Sequence, residues 1–254
     1  MKQALLFMSG VVVTLLAAAS AVAGGLNLAW DNCPSEGGVS NRAASCLSNV
    51  GSNRLTGSFV PTADVTGISG IECVLDMIFG DGTSSIPAWW DFIGTDTGSN
   101  GCRPGSLTAN GGPVVTNTAC LDWSAGTSVG GLADYSGGGS IPAANSPAHR
   151  RIKLGFAVAP QDSADLVATQ EYFAFNLIID NAKSVGLGAC AGCNTPACIV
   201  FNSLNITPVT RPNQYLSTGT TASSNFATWQ GAGPDCALVP VRRATWGQLK
   251  SLYH

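Results

Sequence analysis

Apolar and polar residues alternate with a period of two over much of the chain. The segment 71–77 shows this most clearly, because its odd-numbered positions are all apolar while Glu72 and Asp76 stand at even-numbered positions. Successive side chains of a β-strand point to opposite faces of its sheet, so this pattern predicts a half-buried strand with Glu72 and Asp76 on the solvated face. Further strands are predicted at 26–30, 152–158, 173–179 and 199–206, with shorter ones at 55–60 and 225–230.

Clusters of turn-forming residues separate these strands, among them Gly-Asp-Gly at 80–82 and Asn-Gly-Gly-Pro at 110–113. No helical pattern of about 10–15 residues lies between the strands, which argues against β-α-β units. Strands joined directly by turns are typical of antiparallel sheets packed face to face. The sequence therefore predicts an all-β fold, a two-sheet antiparallel β-sandwich with long loops.

One segment near the carboxyl end has a helical signature. Thr245 and Gln248 match the capping-box pattern, and Trp246, Leu249 and Leu252 would then share one helical face. This predicts a short C-terminal helix that plugs one end of the sandwich by docking Trp246. The alternative is a C-terminal recognition tag for secretion or surface attachment.

The first 23 residues have the pattern of a secretory signal peptide. Lys2 supplies a short positive region, an apolar run follows at 4–19, and Ala-Val-Ala at 21–23 forms a small-residue cleavage site. We expect cleavage before Gly24, because the apolar run is marginal for a membrane span and no charged stop follows it.

The composition narrows the class of protein. Charged residues make up 11% of the 254 residues, against about 25% in an ordinary soluble domain. Hydrophobic residues make up 45%, enough for a core. The 12 Lys and Arg residues form no basic patch, so nucleic acid is not an expected partner. We expect residues 24–254 to form a single domain, whose weakest internal point is the Gly- and Ser-rich stretch 124–146.

All nine cysteines follow the predicted signal peptide, and export makes disulfides their expected state. Cys33 with Cys46, and Cys102 with Cys120, each bracket a loop rich in Gly, Ser or Asn. We expect these two local pairs to staple the long loops, at about 3 kcal/mol each in the chain-entropy model. A structural zinc site is the alternative for the remaining four, which the spacing alone does not pair: Cys190, Cys193, Cys198 and Cys236.

Nine thiols leave at least one unpaired, and Cys73 is the expected free thiol. It stands in the middle of the predicted strand 71–77, on the same face as Leu75 and Met77. A free cysteine behaves there as a small hydrophobic residue, so we expect Cys73 to be reduced and buried.

Four motifs along the chain resemble those of a group of exported hypothetical proteins from environmental bacteria. They are Leu26-x-Leu28-x-Trp30-x-x-Cys33, the run 70–76 followed by Pro-Ala-Trp-Trp at 87–90, the block 190–200 and the ending 245–253. The resemblance covers almost the whole mature chain, implies export, and assigns no catalytic residue. The sandwich pattern is more loosely similar to cohesin-like and carbohydrate-binding-module folds, which implies a cohesin-like or jelly-roll sandwich.

Few residues are suited to catalysis. His149 would act as a general base only beside a nucleophile and an orienting carboxylate. The segment 126–130 matches G-x-S-x-G around Ser128, but it lacks the strand-to-helix context of that motif, and His149 follows too soon. No pair of carboxylates is singled out for glycoside hydrolysis. We therefore expect no catalytic residue and a dispensable His149.

Binding has better candidates. Trp89 and Trp90 are neighbours, and on a strand only one of them would be buried, so the other would offer a flat face on which a sugar ring stacks. Asp91, Asp96 and Asn100 follow in a turn-rich segment and would be weak candidates for oxygen ligands of Ca²⁺. No other cofactor is expected.

The leading functional hypothesis is a secreted, non-enzymatic structural or adhesive component of the cell surface or extracellular matrix. The alternatives are a carbohydrate-binding module and a hydrolase of unrecognised type. The expected partners are a polysaccharide or other surface proteins, with no membrane contact after signal cleavage. The expected location is extracellular or periplasmic, in a bacterium.

Overall fold

The computed structural model describes residues 25–79, 85–93, 101–113, 118–137, 149–210, 212–217 and 224–231. Within these ranges the chain is nearly all β, and its helices are single 3₁₀ turns of three residues. No helix in the described ranges is long and apolar enough to cross a membrane. The predicted signal peptide and C-terminal helix lie outside the described residues.

The first sheet has four strands in spatial order and a fifth that joins one of them. The order is β1 (Gly25–Trp30), β3 (Ser52–Val60), β10 (Glu171–Asp180) and β5 (Leu107–Asn110). The short strand β6 (Cys120–Asp122) pairs with β10 in parallel, and the other pairings are antiparallel.

The second sheet is larger. Its order is β2 (Asn41–Arg42), β13 (Phe226–Trp229), β11 (Ala197–Pro208), β4 (Val65–Phe79), β8 (His149–Ala157) and β7 (Val129–Gly137). Two further strands pair antiparallel at its sides, β12 (Gln214–Ser217) with β11 and β9 (Ala164–Leu166) with β4. β2 and β13 run parallel, and the other pairs are antiparallel.

The predicted all-β class is confirmed, and each predicted strand is present, as β1, β3, β4, β8, β10, β11 and β13. The alternation missed six strands that are short, polar or rich in glycine. One of them, β7, lies inside the stretch 124–146. Residues 129–137 therefore form a strand paired with β8.

Apolar residues of both sheets form one buried cluster. Phe175 of β10 and Phe201 of β11 meet edge to face in it, with ring centroids 5.2 Å apart and planes at 74°. Edge-to-face contact is a favourable arrangement of aromatic rings. Leu55 of the first sheet and Leu75 of the second are fully buried in the same cluster.

A β-bulge interrupts each of the strands that carry these two rings. On β10, Phe173 pairs with Ser58 and Phe175 with Gly57, so that Ala174 is the extra residue. The alternation placed Phe173 and Phe175 on one face, and that is wrong, since Phe173 packs in a separate cluster with the Cys33–Cys120 disulfide. A single inserted residue reverses the faces of the positions beyond it.

The bulge on β11 works in the same way. Phe201 pairs with Leu75 and Ser203 with Val74, which leaves Asn202 as the extra residue. Before the bulge, Ile199 and Phe201 belong to the main cluster, and after it Leu204 and Ile206 do. The buried positions therefore change from odd to even numbers.

Gly57 makes room for the Phe175 ring. A Cβ atom at position 57 would lie 2.2 Å from Cε1 of Phe175, whereas a Cβ atom at Gly155 of β8 would meet open space. We expect Gly57→Ala to lower the free energy of unfolding by about 1–3 kcal/mol, because the ring must leave its packed position. Gly155→Ala, the matched control, should change it by no more than about 0.5 kcal/mol. Denaturant titration measures both, and equal effects would show that the ring does not depend on Gly57.

Candidate functional site

Three disulfides connect parts of the chain that are distant in sequence. Cys33 is bonded to Cys120, Cys46 to Cys193, and Cys102 to Cys190, with sequence separations of 87, 147 and 88 residues. In the chain-entropy model a loop of this length gives about 4–5 kcal/mol, more than a short local loop would. These intramolecular bonds indicate an oxidising compartment, extracellular or periplasmic.

The predicted local pairs, Cys33 with Cys46 and Cys102 with Cys120, are therefore wrong. Cys33, Cys46 and Cys102 lie in loops and Cys120 begins β6, and each of them is folded beside a segment far along the chain. The nearest thiol in space is therefore not the nearest in sequence. The zinc alternative is also wrong for Cys190 and Cys193, since their sulfur atoms are bonded in two different disulfides.

The cysteines not in these three bonds follow the prediction as far as the structure describes them. Cys73 carries a free thiol, is 1% exposed, and its pKa is raised well above the ordinary value by burial and by the charge of Glu72. Cys198 is disulfide-bonded. Cys236 lies outside the described residues.

One group of possible metal ligands occurs among the described residues: Cys33, Cys120 and Glu171. The two sulfur atoms are bonded to each other and are not available as thiolates. The buried carboxylate of Glu171 accepts hydrogen bonds from Asn27 Nδ2 at 2.8 Å and from Ser58 Oγ at 2.5 Å. This group is therefore a structural contact of the first sheet.

Trp89 and Trp90 do not form an exposed platform. Both lie in a 3₁₀ turn, Ala88–Trp90, and their exposed fractions are 0% and 1%. The prediction that one of them is exposed is wrong, because the argument from opposite faces holds on a strand and not in this turn. Their rings are 5.0 Å apart, and each is also 5.2 Å from the ring of Trp229.

A buried arginine is packed into these rings. The guanidinium of Arg103 lies 3.6 Å from the ring centroid of Trp89, a cation–π contact. Its Nη1 donates to the carbonyl of Trp89, and its Nε donates to the carbonyl of Ala182, each at 2.7 Å. Burial lowers the pKa of Arg103 to about 10, against the opposing effect of Asp180 and Tyr135.

The same tryptophans support a pair of loops from beneath. We call residues 43–51 and 181–196 the tip. Trp89 donates from its backbone N–H to the carbonyl of Ala191 at 2.8 Å and from Nε1 to Ser184 Oγ at 2.9 Å. Trp229 donates from Nε1 to the carbonyl of Cys193 at 2.7 Å. The aromatic residues therefore serve to position the tip.

The two loops of the tip are fixed to each other. Asn49 Nδ2 donates to the carbonyl of Val185 at 3.1 Å, and the N–H of Val185 donates to Asn49 Oδ1 at 2.9 Å. The Cys46–Cys193 disulfide joins the loops covalently, and the Cys102–Cys190 disulfide joins the second loop to the segment beside Arg103.

The surface of the tip has an open groove and three protruding aliphatic side chains. The groove has a volume of about 620 Å³ and is lined by Cys46, Ser184 and residues 189–196. Beside it, Leu47, Val50 and Leu187 are exposed by 86%, 82% and 109%. The sequence analysis missed this surface. The sequence feature that could have indicated this surface is a pair of loops that are rich in Gly and Ala and contain one charged residue, Lys183.

The calcium candidates are only partly described. Asp91 ends the 3₁₀ turn, where its N–H donates to the carbonyl of Ala88 and its own carbonyl accepts from the N–H of Arg103. Asp96 and Asn100 lie outside the described residues. A Ca²⁺ site at this segment stays a prediction.

A buried polar cluster lies on the second sheet around Asp76. Arg151 donates to its carboxylate from Nε at 2.8 Å and from Nη2 at 2.9 Å, and Asn202 Nδ2 donates at 2.5 Å. His149 Nε2 lies 3.4 Å from Oδ1. Asp76 is only 4% exposed, so its predicted place on a solvated face is wrong, whereas Glu72 is exposed as predicted. The partners on β8 and β11 make that burial possible.

The hydrogen bonds in this cluster outweigh desolvation at Asp76. Burial raises the pKa of the carboxyl group. The hydrogen bonds and charges of His149 and Arg151 lower it by more than burial raises it, so that the pKa is about 2. His149 is 1% exposed, and no described group bonds to its Nδ1. The cluster therefore stabilises the ionised carboxylate of Asp76 in a buried position.

The G-x-S-x-G segment does not meet this histidine. Ser128 precedes Val129, which pairs with Ala157 at one end of β8, while His149 begins that strand at the other end. The eight-residue difference corresponds to about 26 Å at the usual strand rise of about 3.3 Å per residue. Ser128 Oγ donates instead to the carbonyl of Gly111 at 3.1 Å.

Comparison of the chain with protein-family models, with curated proteins and with solved structures found no match.

Peptide mapping tests the disulfides. We expect cross-linked peptides joining Cys33 to Cys120, Cys46 to Cys193 and Cys102 to Cys190. Cys73 should react with an alkylating reagent only after unfolding, because it is buried and its raised pKa keeps it protonated. A native-state reaction at Cys73, or cross-linked peptides in the local pairing, would contradict this structure.

The Asp76 cluster predicts a pH dependence of stability. The folded carboxyl group has a pKa of about 2 against an ordinary value of 3.8, so the folded state binds fewer protons between those values. The stabilisation, about 2 kcal/mol, is therefore present above about pH 4 and is lost as the pH falls towards 2. Asp76→Asn should be less stable at neutral pH and should lack this decline, as measured by denaturant titration at several pH values.

Asp134→Asn is the matched control for this prediction. Asp134 of β7 forms an ion pair with Lys153 of the neighbouring strand β8 at 3.4 Å, with both side chains well exposed. An exposed pair contributes little, so the control should keep the acid-dependent loss of the wild type. An Asp76→Asn protein with wild-type stability at neutral pH would show that the cluster does not stabilise the sheet.

Proposed function

We propose that the chain is an exported, non-enzymatic protein that acts as a structural or adhesive component of the cell surface or extracellular matrix. Its two sheets form a β-sandwich of cohesin-like or jelly-roll type, delivered by the signal peptide at residues 1–23. The observation that carries the proposal is the tip. Two disulfides and three buried tryptophans hold in place a loop surface that exposes aliphatic side chains.

This use of residues favours contact over chemistry. Two disulfides and buried tryptophan rings hold the loops of the tip in place. Aliphatic side chains exposed on such a fixed surface favour an interaction site. In a binding interface, a loop backbone that is held in place beforehand loses less conformational entropy on association. The tip has this organisation.

The hydrolase alternative has little support among the described residues. Ser128 and His149 lie at opposite ends of β8, and the His149 imidazole is buried against Asp76 within the cluster of Arg151 and Asn202. A general base must lie within hydrogen-bond reach of the group that it deprotonates. The geometry gives His149 a stabilising role.

The carbohydrate-binding alternative loses its predicted residues. Trp89 and Trp90 are buried, and Tyr215 of β12, 68% exposed, is the aromatic side chain most exposed in the described ranges. A platform on which a sugar ring stacks needs an exposed aromatic face, which neither Trp89 nor Trp90 offers. A structural or adhesive function needs none.

Fractionation of the native host tests the proposal. We expect the protein in the envelope or matrix fraction, with no retention of the purified protein on insoluble polysaccharides.

Trp90→Ala should lower the free energy of unfolding by about 3–5 kcal/mol, because it empties part of the aromatic cluster. Tyr215→Ala, the exposed control, should leave stability unchanged.

Strong polysaccharide retention that is lost in a well-folded Tyr215→Ala or Trp90→Ala protein would identify a carbohydrate-binding module. A protein found only in the soluble fraction of the medium would contradict a structural or adhesive function.

A further inference from the structure

The tip places a knob and a groove side by side. Leu47 follows Cys46, which lines the groove, and Leu187 lies between Ser184 and Ala189, which also line it. Both leucines are exposed by more than four fifths of their surface. One small surface therefore holds protruding side chains together with a cavity of about 620 Å³ that such side chains could enter.

We propose that the tip binds the tip of a second copy of this chain about a two-fold axis, each copy inserting Leu187 and Leu47 into the groove of the other. A two-fold contact is made by the same patch on both copies, so the patch must be complementary to itself. Adjacent knob and groove satisfy that requirement. The inference rests on the proposed function, and it names a second copy as the partner.

The charge of the tip fits this partner. In a two-fold contact, a charged side chain near the axis lies close to the same side chain of the other copy. Like charges that face each other in this way are unfavourable. The whole chain has 15 acidic and 12 basic residues, but the 25 residues of the tip contain no acid and a single cation. That cation, Lys183, donates from Nζ to the carbonyl of Cys102 at 2.8 Å. The contact thus brings little like charge together.

The groove is lined largely by backbone and small side chains. Ala191 and Asn194 are exposed along it, and Gly192 has a φ of 104°, a conformation that favours glycine. A Cβ atom at Gly192 would lie 2.3 Å from Cβ of Pro87, so the loop packs closely on the segment that precedes Trp89. The shape of the groove is therefore fixed before a partner arrives, which lowers the entropy lost on association.

The contact is small, so association should be weak and concentration-dependent. Stable interfaces bury about 1,200–2,000 Å² in total, more than three aliphatic side chains and a shallow groove supply. A high local concentration on a surface or in a matrix raises the effective affinity of such contacts. Weak pairing of this kind suits a component that assembles after export.

Sedimentation of the mature, disulfide-bonded protein over a range of concentrations tests the contact. We expect reversible dimers, and a dimer Kd raised about a hundredfold in Leu187→Asp, at about tenfold for each of two symmetric contacts. Asn194→Arg should weaken the dimer as well, because it places a long charged side chain in the groove. Val129→Asp is the control, since Val129 is 72% exposed on β7 and outside the tip.

Mixing the two weakened variants tests the knob-in-groove geometry. In a mixed dimer, one contact pairs the carboxylate introduced at position 187 with the guanidinium introduced at position 194 of the other copy, and the second contact is wild type. The mixture should therefore associate more tightly than either variant alone. Unchanged circular dichroism and disulfide maps verify that each variant is folded.

Three results would overturn the inference. They are a wild-type protein that stays monomeric at all accessible concentrations, a dimer weakened equally by Val129→Asp, and a mixture that associates no better than its components. A monomer that still fractionates with the envelope would leave the proposed function in place and remove only this contact. A dimer found solely in the soluble fraction of the medium would do the reverse.

Discussion

The edge-to-face contact between Phe175 and Phe201 determines how the two sheets meet and which side chains each sheet turns outwards. Each phenylalanine stands next to a β-bulge, at Ala174 on β10 and at Asn202 on β11. The bulges let both rings point into the shared cluster, and Gly57 leaves the space that one ring needs. They also direct other side chains outwards, Phe173 onto the Cys33–Cys120 disulfide and Asn202 onto the carboxylate of Asp76. Contacts on the outer sides of the sheets therefore depend on a constraint in the core.

A second set of rings connects the core to the tip. Trp89, Trp90 and Trp229 pack against one another. The indole N–H groups of Trp89 and Trp229 donate to Ser184 Oγ and to the carbonyl of Cys193, and the guanidinium of Arg103 donates to backbone carbonyls. A buried Arg103 is tolerated because its charge lies over an aromatic face and two of its nitrogens have carbonyl acceptors. The lowered pKa of its side chain expresses the cost of that burial. Rings that would be expensive to expose are thus used to shape a surface made of small residues.

The sequence predicts strands well where one face is continuously apolar, because alternation then has a single physical cause. It fails where tertiary contacts change that cause. One extra residue at Ala174 moves Phe173 to the other face, and three partners from neighbouring strands allow Asp76 to be buried. The local disulfide pairing that the sequence predicts is wrong because the order of the strands decides which distant segments lie side by side. Cys73 could be found from sequence, since its burial follows from the alternation of its own strand.

The strands and the loops of the tip are held in place by different kinds of bond. Strand residues are held by ladders of backbone hydrogen bonds, and most strands of each sheet have such ladders along their length. The loops of the tip have no such ladder. They are held by separate backbone turns and by side chains such as those of Asn49, Asn181 and Ser184. Beside the Cys46–Cys193 and Cys102–Cys190 bonds, Leu47 and Leu187 stay exposed, although burial of apolar side chains is ordinarily favourable. The two disulfides restrict the backbone that carries these leucines, so the bonds that close the fold also limit how far the two loops can move.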